Sequence, residues 1–277
     1  MKKDKNKKIK ILVLGSHGML GYTVVKELSK HDCYEVKGLS RKDFEVGWNP
    51  LQDLLDVHDA YSYDYVLNCI GIIKPHINKD VPTLAIEVNS QFPHELADAL
   101  EDVAKLIHIT TDCVYSGALP KGSLGYSENS PHDALDIYGK TKSLGEPKTQ
   151  AMVIRTSIIG EEVHHSDSLI SWAKSQQGTT VNGYTNHSWN GITTKTYADV
   201  VHQIIQGEWW EKGLFHVHSW MPVTKFDMLN MFDHKYNLGL TVKSVMDLEG
   251  CNRILQSRCT LQRKLKIPTI AQQIIAI

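Results

Sequence analysis

The chain has 277 residues, of which 42% are hydrophobic and 22% charged, and its formal net charge is −1. Those values fit a globular protein of one large domain or two modest ones. They give no electrostatic reason to expect nucleic acid or a membrane surface as partner.

The lysine-rich start (Lys2, Lys3, Lys5, Lys7, Lys8) has no apolar segment beside it and reads as a solvated tail, not a lipid-binding arm. No signal peptide or membrane span is visible. The five cysteines are scattered and form no Cys-x-x-Cys, which points to free thiols in a reducing, cytoplasmic setting. The pairs His164-His165 and His216-x-His218 lack neighbouring carboxylates or thiols at ligand spacing, so no metal site is expected.

Residues 10–14 form an apolar run ending at Gly15, and 19–28 read as a helix. A second strand spans 34–39 and a third 64–70. A long helix is expected over 81–100, a fourth strand over 104–109, a helix over 134–145 and a fifth strand over 151–156. Short apolar strands alternating with amphipathic helices indicate parallel βαβ units, an α/β Rossmann-type doubly wound sheet. Beyond residue 157 the rhythm loosens. Helices are expected over 168–177, 193–206, 225–236 and 269–275, with a short strand at 215–218. The division this suggests is a dinucleotide-binding domain over 1–156 and a smaller substrate domain over 157–277, with some chain crossing between them.

The first turn, Gly15-Ser16-His17-Gly18-Met19-Leu20-Gly21, has glycines every third residue. The first glycine permits a tight turn, the second lets backbone approach a pyrophosphate, and the third allows close helix–strand packing. The helix start then offers N–H groups and a positive dipole end. A glycine turn of a flavodoxin-like fold is the alternative. The second strand ends in Ser40-Arg41-Lys42. A guanidinium there suits a 2′-phosphate, which favours NADP(H), while Asp43 keeps NAD(H) open.

Tyr138 and Lys142 are spaced to share one helix face. An ammonium beside a phenol favours the phenolate and should bring its pKa down from about 10. Such a pair can pass a proton beside a hydride-carrying cofactor. The spacing itself is weak evidence, because Tyr22 and Lys26 share it. Only the later copy follows the glycine turn and Thr110-Thr111-Asp112 in order.

The glycine turn, Asn68-Cys69-Ile70-Gly71, Thr110-Thr111-Asp112-Cys113-Val114-Tyr115, Tyr138-Gly139-Lys140-Thr141-Lys142 and Arg155-Thr156-Ser157 resemble the extended short-chain dehydrogenases/reductases. Within these the chain is most similar to the dTDP-4-dehydrorhamnose reductase (RmlD-like) group, over nearly its whole length. The resemblance implies reduction, by NAD(P)H, of the C4 keto group of a nucleotide-linked 4-keto-6-deoxy sugar. Thr111 would hydrogen-bond the substrate carbonyl, Tyr138 would donate the proton, and Lys142 would bond the nicotinamide ribose and tune Tyr138. Asp112 would face the substrate. Residues 68–71, with Cys69, Ile70 and Gly71, would line the cofactor, and Asn89 would lie near the active-site backbone. A homodimer is left open.

Cys113 departs from the tyrosine usual in rhamnose reductases. Bifunctional epimerase-reductases of the family carry cysteine there, so a 3,5-epimerase/4-reductase is an alternative, with the thiol as acid or base. A buried thiol without chemistry is the other reading. Its partner base would be His164, His165 or His187. A non-catalytic NADP-binding regulatory subunit is a further alternative, since the methionine adenosyltransferase β subunit also looks like this family. In the second half, residues 182–194, with Asn190, read either as a cleft wall or as a plain loop and helix cap. Arg253 and Arg258 are candidates for a diphosphate, and Trp172, Trp189 and Trp220 for stacking on a base or sugar.

Overall fold

Apolar residues that alternate between two cores build the centre of the molecule. The computed structural model describes residues 7–119, 122–164 and 166–277. In chain order the first part runs β1 (Ile9–Leu14), α1 (Met19–Leu28), β2 (Tyr34–Leu39), α2 (Leu51–Asp56), β3 (Tyr65–Asn68), α3 (Thr83–Ile86), α4 (Phe92–Ala99), β4 (Lys105–Thr111), α5 (Ile137–Leu144) and β5 (Met152–Thr156). The second part comprises β6 (Ile158–Ile159), α6 (Leu169–Ser175), β7 (Thr180–Tyr184), β8 (His187–Trp189), β9 (Ile192–Thr193), α7 (Thr194–Gln206), β10 (Gly213–His216), β11 (Val223–Thr224), α8 (Lys225–Tyr236), β12 (Thr241–Val245), β13 (Cys251–Asn252), α9 (Thr260–Lys264) and α10 (Ile270–Ala276).

Six strands make one parallel sheet in the order β10-β5-β4-β3-β1-β2. In β1, Ile11 and Val13 face a core shared with α1 and α7, while Leu12 and Leu14 face one shared with α2 and α4. Strands buried on both faces read as continuous apolar runs, which is why residues 10–14 show no alternation. Burying each such side chain contributes about 1.5–3 kcal/mol. The strand order reverses between β1 and β3, so the crevice for a ligand opens at their carboxyl ends.

The second half is divided between two roles. β10 extends the central sheet beside β5, and α7 packs in the core of α1. The rest, built on α6, β7, β8, α8 and α10, closes around a separate core with Trp189, Met228 and Phe232. The small sheets β11-β8-β13 and β12-β7 belong to this part, and their short strands gave no period to read. The expected helix at 81–100 is interrupted by a π turn, Glu87–Gln91, between α3 and α4. No helix among the described residues is long and apolar enough to cross a membrane.

Candidate active site

The glycine turn has the steric logic its spacing suggested. Gly15 adopts φ +80°, and a Cβ on it would stand 3.2 Å from the Cys69 carbonyl and the Ile70 nitrogen. The backbone nitrogens of Gly15 and Ser16 both donate to Leu39 O, at 2.9 Å each, tying the turn to the end of β2. A Cβ on Gly21 would lie 2.2 Å from Gly15 O, so α1 can sit this close only with glycine there. Gly18 is more open, its nearest neighbour being Gly15 O at 3.4 Å. No side chain caps α1, so its first-turn N–H groups are left for a ligand. His17 lies in this turn, with its ring 4.9 Å from His164.

At the end of β2, Arg41 is largely exposed and meets Glu45 only through Nε at 3.7 Å, a weak exposed pair. Asp43 is turned back on the chain. Its Oδ2 accepts from the Ser40 nitrogen at 2.8 Å and from Ser40 Oγ at 2.7 Å, which holds the carboxyl below its ordinary pKa.

The end of β3 is built by two asparagines. Asn68 Oδ1 accepts from the Ile70 nitrogen at 3.0 Å. Asn89, inside the π turn, accepts from the Ile72 nitrogen at 2.8 Å and donates to Ile72 O at 3.0 Å. A π turn inside a helix often marks a functional site, and here it aims one amide at the loop carrying Cys69, Ile70 and Gly71. A Cβ on Gly71 would lie 3.4 Å from Asn89 Oδ1 and 3.8 Å from Lys142 Nζ, so this loop and the lysine are neighbours.

α5 starts at Asp136, whose side chain accepts from the Gly139 nitrogen at 2.9 Å. Its packing on the turn that follows β4 requires glycine after Tyr138. A Cβ on Gly139 would fall 2.3 Å from Cys113 O and 2.4 Å from Ala134 Cβ. Tyr138 thereby reaches Thr111, whose hydroxyl makes a hydrogen bond that favours the phenolate. Thr111 Oγ1 also donates to Asp112 Oδ1 at 3.2 Å and accepts from the Cys113 nitrogen at 3.1 Å. Lys142 is buried and donates to Ile109 O at 3.3 Å. The other Tyr-x-x-x-Lys, Tyr22 and Lys26, lies on the exposed face of α1.

One electrostatic expectation is overturned. The Tyr138 phenol is raised, not lowered. Burial is the main cause, followed by Cys113, with the Thr111 hydrogen bond opposing. Lys142 is itself driven down to about 8 by burial, against the pull of Glu146 and Cys69. Desolvation, not the Lys142 ammonium, decides the direction.

The Cys113 thiol is pushed up to about 12 by burial and by Asp112, against Arg253. It is a poor base. Of its suggested partners, His164 lies over the glycine turn, His187 bonds Asp247 Oδ2 at 3.0 Å, and His165 lies outside the described residues. The groups that do act near Cys113 are Asp112, Arg253 and Lys225, and no motif in the sequence marks Lys225. Arg253 is held by Tyr115 O (2.8 Å, from Nε) and Ser116 O (3.1 Å, from Nη2) beside Asp112.

Asn190 lies in the interior beside the C-terminal segment. It is buried, donates to Leu255 O at 2.7 Å and accepts from the Leu255 nitrogen at 2.9 Å, so it clasps the C-terminal segment to the residue after β8. Trp189 is buried in the second core, whereas Trp172 and Trp220 are exposed. Arg155, which in the sequence is only one member of an Arg-Thr-Ser motif, is fully buried behind α5 with Glu146, His132, Tyr115 and His216. The signal for Glu146 was its place four residues after Lys142.

Residues 9–245 match the family model described as the RmlD substrate binding domain. The chain is 30% identical over 157 residues to the spore coat polysaccharide biosynthesis protein SpsK of Bacillus subtilis, covering 53% of this chain and about half (52%) of that relative. It is 26% identical to methionine adenosyltransferase 2 subunit beta of Bos taurus, covering 83% and 72% of the two chains. The crystal structure of dTDP-4-dehydrorhamnose reductase from Bacillus anthracis in complex with NADP superposes with a TM-score of 0.79 at 19% identity, over 97% of this chain and 98% of that one. With most of its length matched by that family model, the chain belongs to the RmlD substrate binding domain family.

Proposed function

We propose that the protein is an NADPH-dependent oxidoreductase that reduces the C4 keto group of a nucleotide-linked 4-keto-6-deoxy sugar. The observation that carries this is the assembly of Thr111, Tyr138 and Lys142 at the carboxyl ends of the central strands, beside the Gly15 turn. The residues present fit a dinucleotide. Gly15 and Gly21 let β1, the start of α1 and the loop after β3 approach closely, α1 begins with no side-chain cap, and Arg41 is exposed while Asp43 is turned inward. Gly15, Ser16, His17, Gly18, Met19 and Leu20 would hold the pyrophosphate, Arg41 the 2′-phosphate, and Cys69, Ile70 and Gly71 the nicotinamide end. Bound there, the reduced nicotinamide supplies the hydride.

The chain's own groups manage the oxygen and the proton. Thr111 donates a hydrogen bond to the C4 carbonyl oxygen. Tyr138 gives its proton to that oxygen as it becomes an alkoxide, leaving an alcohol and a phenolate. A phenol is already protonated at neutral pH, so the donor is loaded, while the raised value makes it a weaker acid and puts the demand on groups that stabilise the phenolate left behind. Lys142, charged below about 8, steadies the phenolate and bonds the ribose. Asp112 and Arg253 flank the sugar side of the cleft. In this reading 1–156 binds cofactor and 157–277 binds the sugar nucleotide, with α7 and β10 returned to the first part. Epimerisation through Cys113 is not favoured, since burial holds the thiol protonated.

The test is NADPH and NADH oxidation with dTDP-, UDP- and GDP-linked 4-keto-6-deoxy sugars, with products identified by NMR. Tyr138→Phe should lose reduction by several orders of magnitude and still bind cofactor. Wild-type turnover in that variant would sink the mechanism. Cofactor binding without turnover on any of these sugars would point instead to a regulatory subunit.

A further inference from the structure

The π turn Glu87–Gln91 ends where the Phe92 N–H bonds Glu87 O, one residue further back than in an α-helix. Two consecutive residues of this turn, Asn89 and Ser90, are buried, and both reach α5. Asn89 uses its whole amide. Oδ1 accepts from the Ile72 nitrogen at 2.8 Å, and the two Nδ2 protons go to Ile72 O at 3.0 Å and to Thr141 Oγ1 at 3.3 Å. Ser90 Oγ donates to Thr141 O at 2.8 Å. That carbonyl takes an outside donor because the Gly145 N–H, which would meet it in a longer helix, bonds Lys142 O instead. The approach also depends on glycine at the end of α5, since a Cβ on Gly145 would stand 1.8 Å from Asn89 O.

Thr141 is where these bonds meet. It sits between Tyr138 and Lys142 and is 3% exposed. Its hydroxyl accepts from Asn89 and donates to Tyr138 O at 3.0 Å. A threonine bonding back to a carbonyl of the preceding turn is common in helices and by itself says nothing of function. Here the same oxygen carries a second bond. The result is a continuous relay from the Ile72 backbone through the Asn89 amide and the Thr141 hydroxyl to the Tyr138 backbone. Ile72 directly follows Cys69-Ile70-Gly71, the loop that Lys142 also borders. Gly139 and Thr141 lie roughly 200° apart around α5. One side of the helix therefore rests on the turn after β4 through Gly139, and the relay holds the other.

We propose that Thr141 is a positioning residue whose hydroxyl, through Asn89, fixes the distance between the loop 69–71 and Tyr138. In reduction the C4 carbon must meet the hydride donor held at that loop while its oxygen meets the Tyr138 hydroxyl. One buried side chain then spaces both ends of the reaction. Without the hydroxyl, Asn89 keeps Ile72 and Ser90 keeps Thr141 O, but the direct link from the loop to Tyr138 is gone. A misplacement of about 1 Å costs about a hundredfold in rate, so this loosening should cost roughly ten- to a hundredfold. The relay is read from the structure. Its kinetic consequence rests on the roles proposed above for Tyr138 and residues 69–71.

The experiment compares Thr141→Val, which keeps the shape and removes the hydroxyl, with Thr141→Ser, which keeps the hydroxyl, in the full-length protein. On the sugar found by the cofactor-oxidation screen, Thr141→Val should slow hydride transfer in a single turnover by roughly ten- to a hundredfold. KM for NADPH should change little, and Thr141→Ser should recover to within a few-fold of wild type. A Thr141→Val rate equal to that of wild type overturns the inference, as does a Thr141→Ser rate as low as that of Thr141→Val. Hydrogen exchange needs no substrate. Thr141→Val should exchange faster, by roughly two- to tenfold, in both 137–144 and 68–73, with α8 unchanged. Faster exchange in 137–144 alone breaks the relay and overturns the inference even where turnover falls. Faster exchange in α8 as well marks general destabilisation and counts against it equally. Where circular dichroism shows Thr141→Val unfolded, Thr141→Ala is read by the same criteria. If no sugar is turned over, the reductase reading fails, and the exchange pattern alone decides the relay.

Discussion

Gly139→Ala is a one-carbon test of how the centre is assembled. The new Cβ would stand 2.3 Å from Cys113 O and 2.4 Å from Ala134 Cβ. Ordinary contact for such atoms begins above 3 Å, so α5 must retreat from the end of β4 by about 1 Å. Two stability effects oppose each other. Overpacking of this size costs about 1–3 kcal/mol, while alanine inside a helix is favoured over glycine by about 1 kcal/mol. The net loss should be about 0–2 kcal/mol, a fall in Tm of at most a few degrees. The kinetic effect should be far larger. Tyr138 and Lys142 ride on α5 on either side of Gly139, and Thr111 stays with β4. A displacement of about 1 Å between the proton donor and the residue that orients the carbonyl costs about a hundredfold in rate. NADPH oxidation on the substrate found by the screen gives kcat, and a thermal melt gives stability. The neighbouring change Lys140→Ala, at an exposed position, is the control. A Gly139→Ala enzyme that keeps kcat within a few-fold of wild type would show that the α5–β4 contact does not set the geometry of the centre.

Arg41→Ala should weaken NADPH binding by about tenfold or more and leave NADH nearly unchanged, measured by cofactor fluorescence, since a charged hydrogen bond to phosphate contributes about 1.5–3 kcal/mol. Equal losses for both cofactors would count against a 2′-phosphate site. Asn190→Ala leaves the Leu255 N–H and C=O without their clasp and should cost about 2–4 kcal/mol in a denaturant titration with little change in KM. A large KM effect at full stability would restore Asn190 to the substrate site. His216 titrates near 4 in the folded protein, below its unfolded value, so the unfolded chain binds the extra proton between about 6.5 and 4. Its contribution is complete above about 6.5 and is lost as pH falls through that window. Denaturant titrations across it should fall more steeply with acidification in wild type than in His216→Gln, and identical slopes would refute the coupling.

Much of the cofactor half was legible because its rules are local. The glycines at 15, 18 and 21 answer to steric demands within one turn, and Gly21 shows this most clearly, with its missing Cβ 2.2 Å from Gly15 O. The order of Thr111, Tyr138 and Lys142 along alternating strands and helices was equally readable, since parallel βαβ units bring successive strand ends to one edge. The Arg155 shell was not readable. Its acceptors come from residues 115, 132, 146 and 216, and no period or motif links those positions. The clasp made by Asn190 was hidden for the same reason, because its partner is Leu255 and only the folded chain brings the two together. The short strands β8, β11 and β13, each two or three residues long, carry too few positions to show an alternation.

The direction of the Tyr138 shift exposes a limit of reading chemistry from spacing. Four residues on a helix bring an ammonium within reach of a phenol, but the sign of the effect is a contest between that charge and the loss of water. Here Lys142 is buried and Tyr138 partly so, and the loss of water raises the phenol and lowers the lysine. For a base that must take a proton from an alcohol, such a phenol would be badly tuned. For an acid that must deliver one to a nascent alkoxide, it is loaded at neutral pH but weakened, so delivery depends on the groups that stabilise the phenolate left behind.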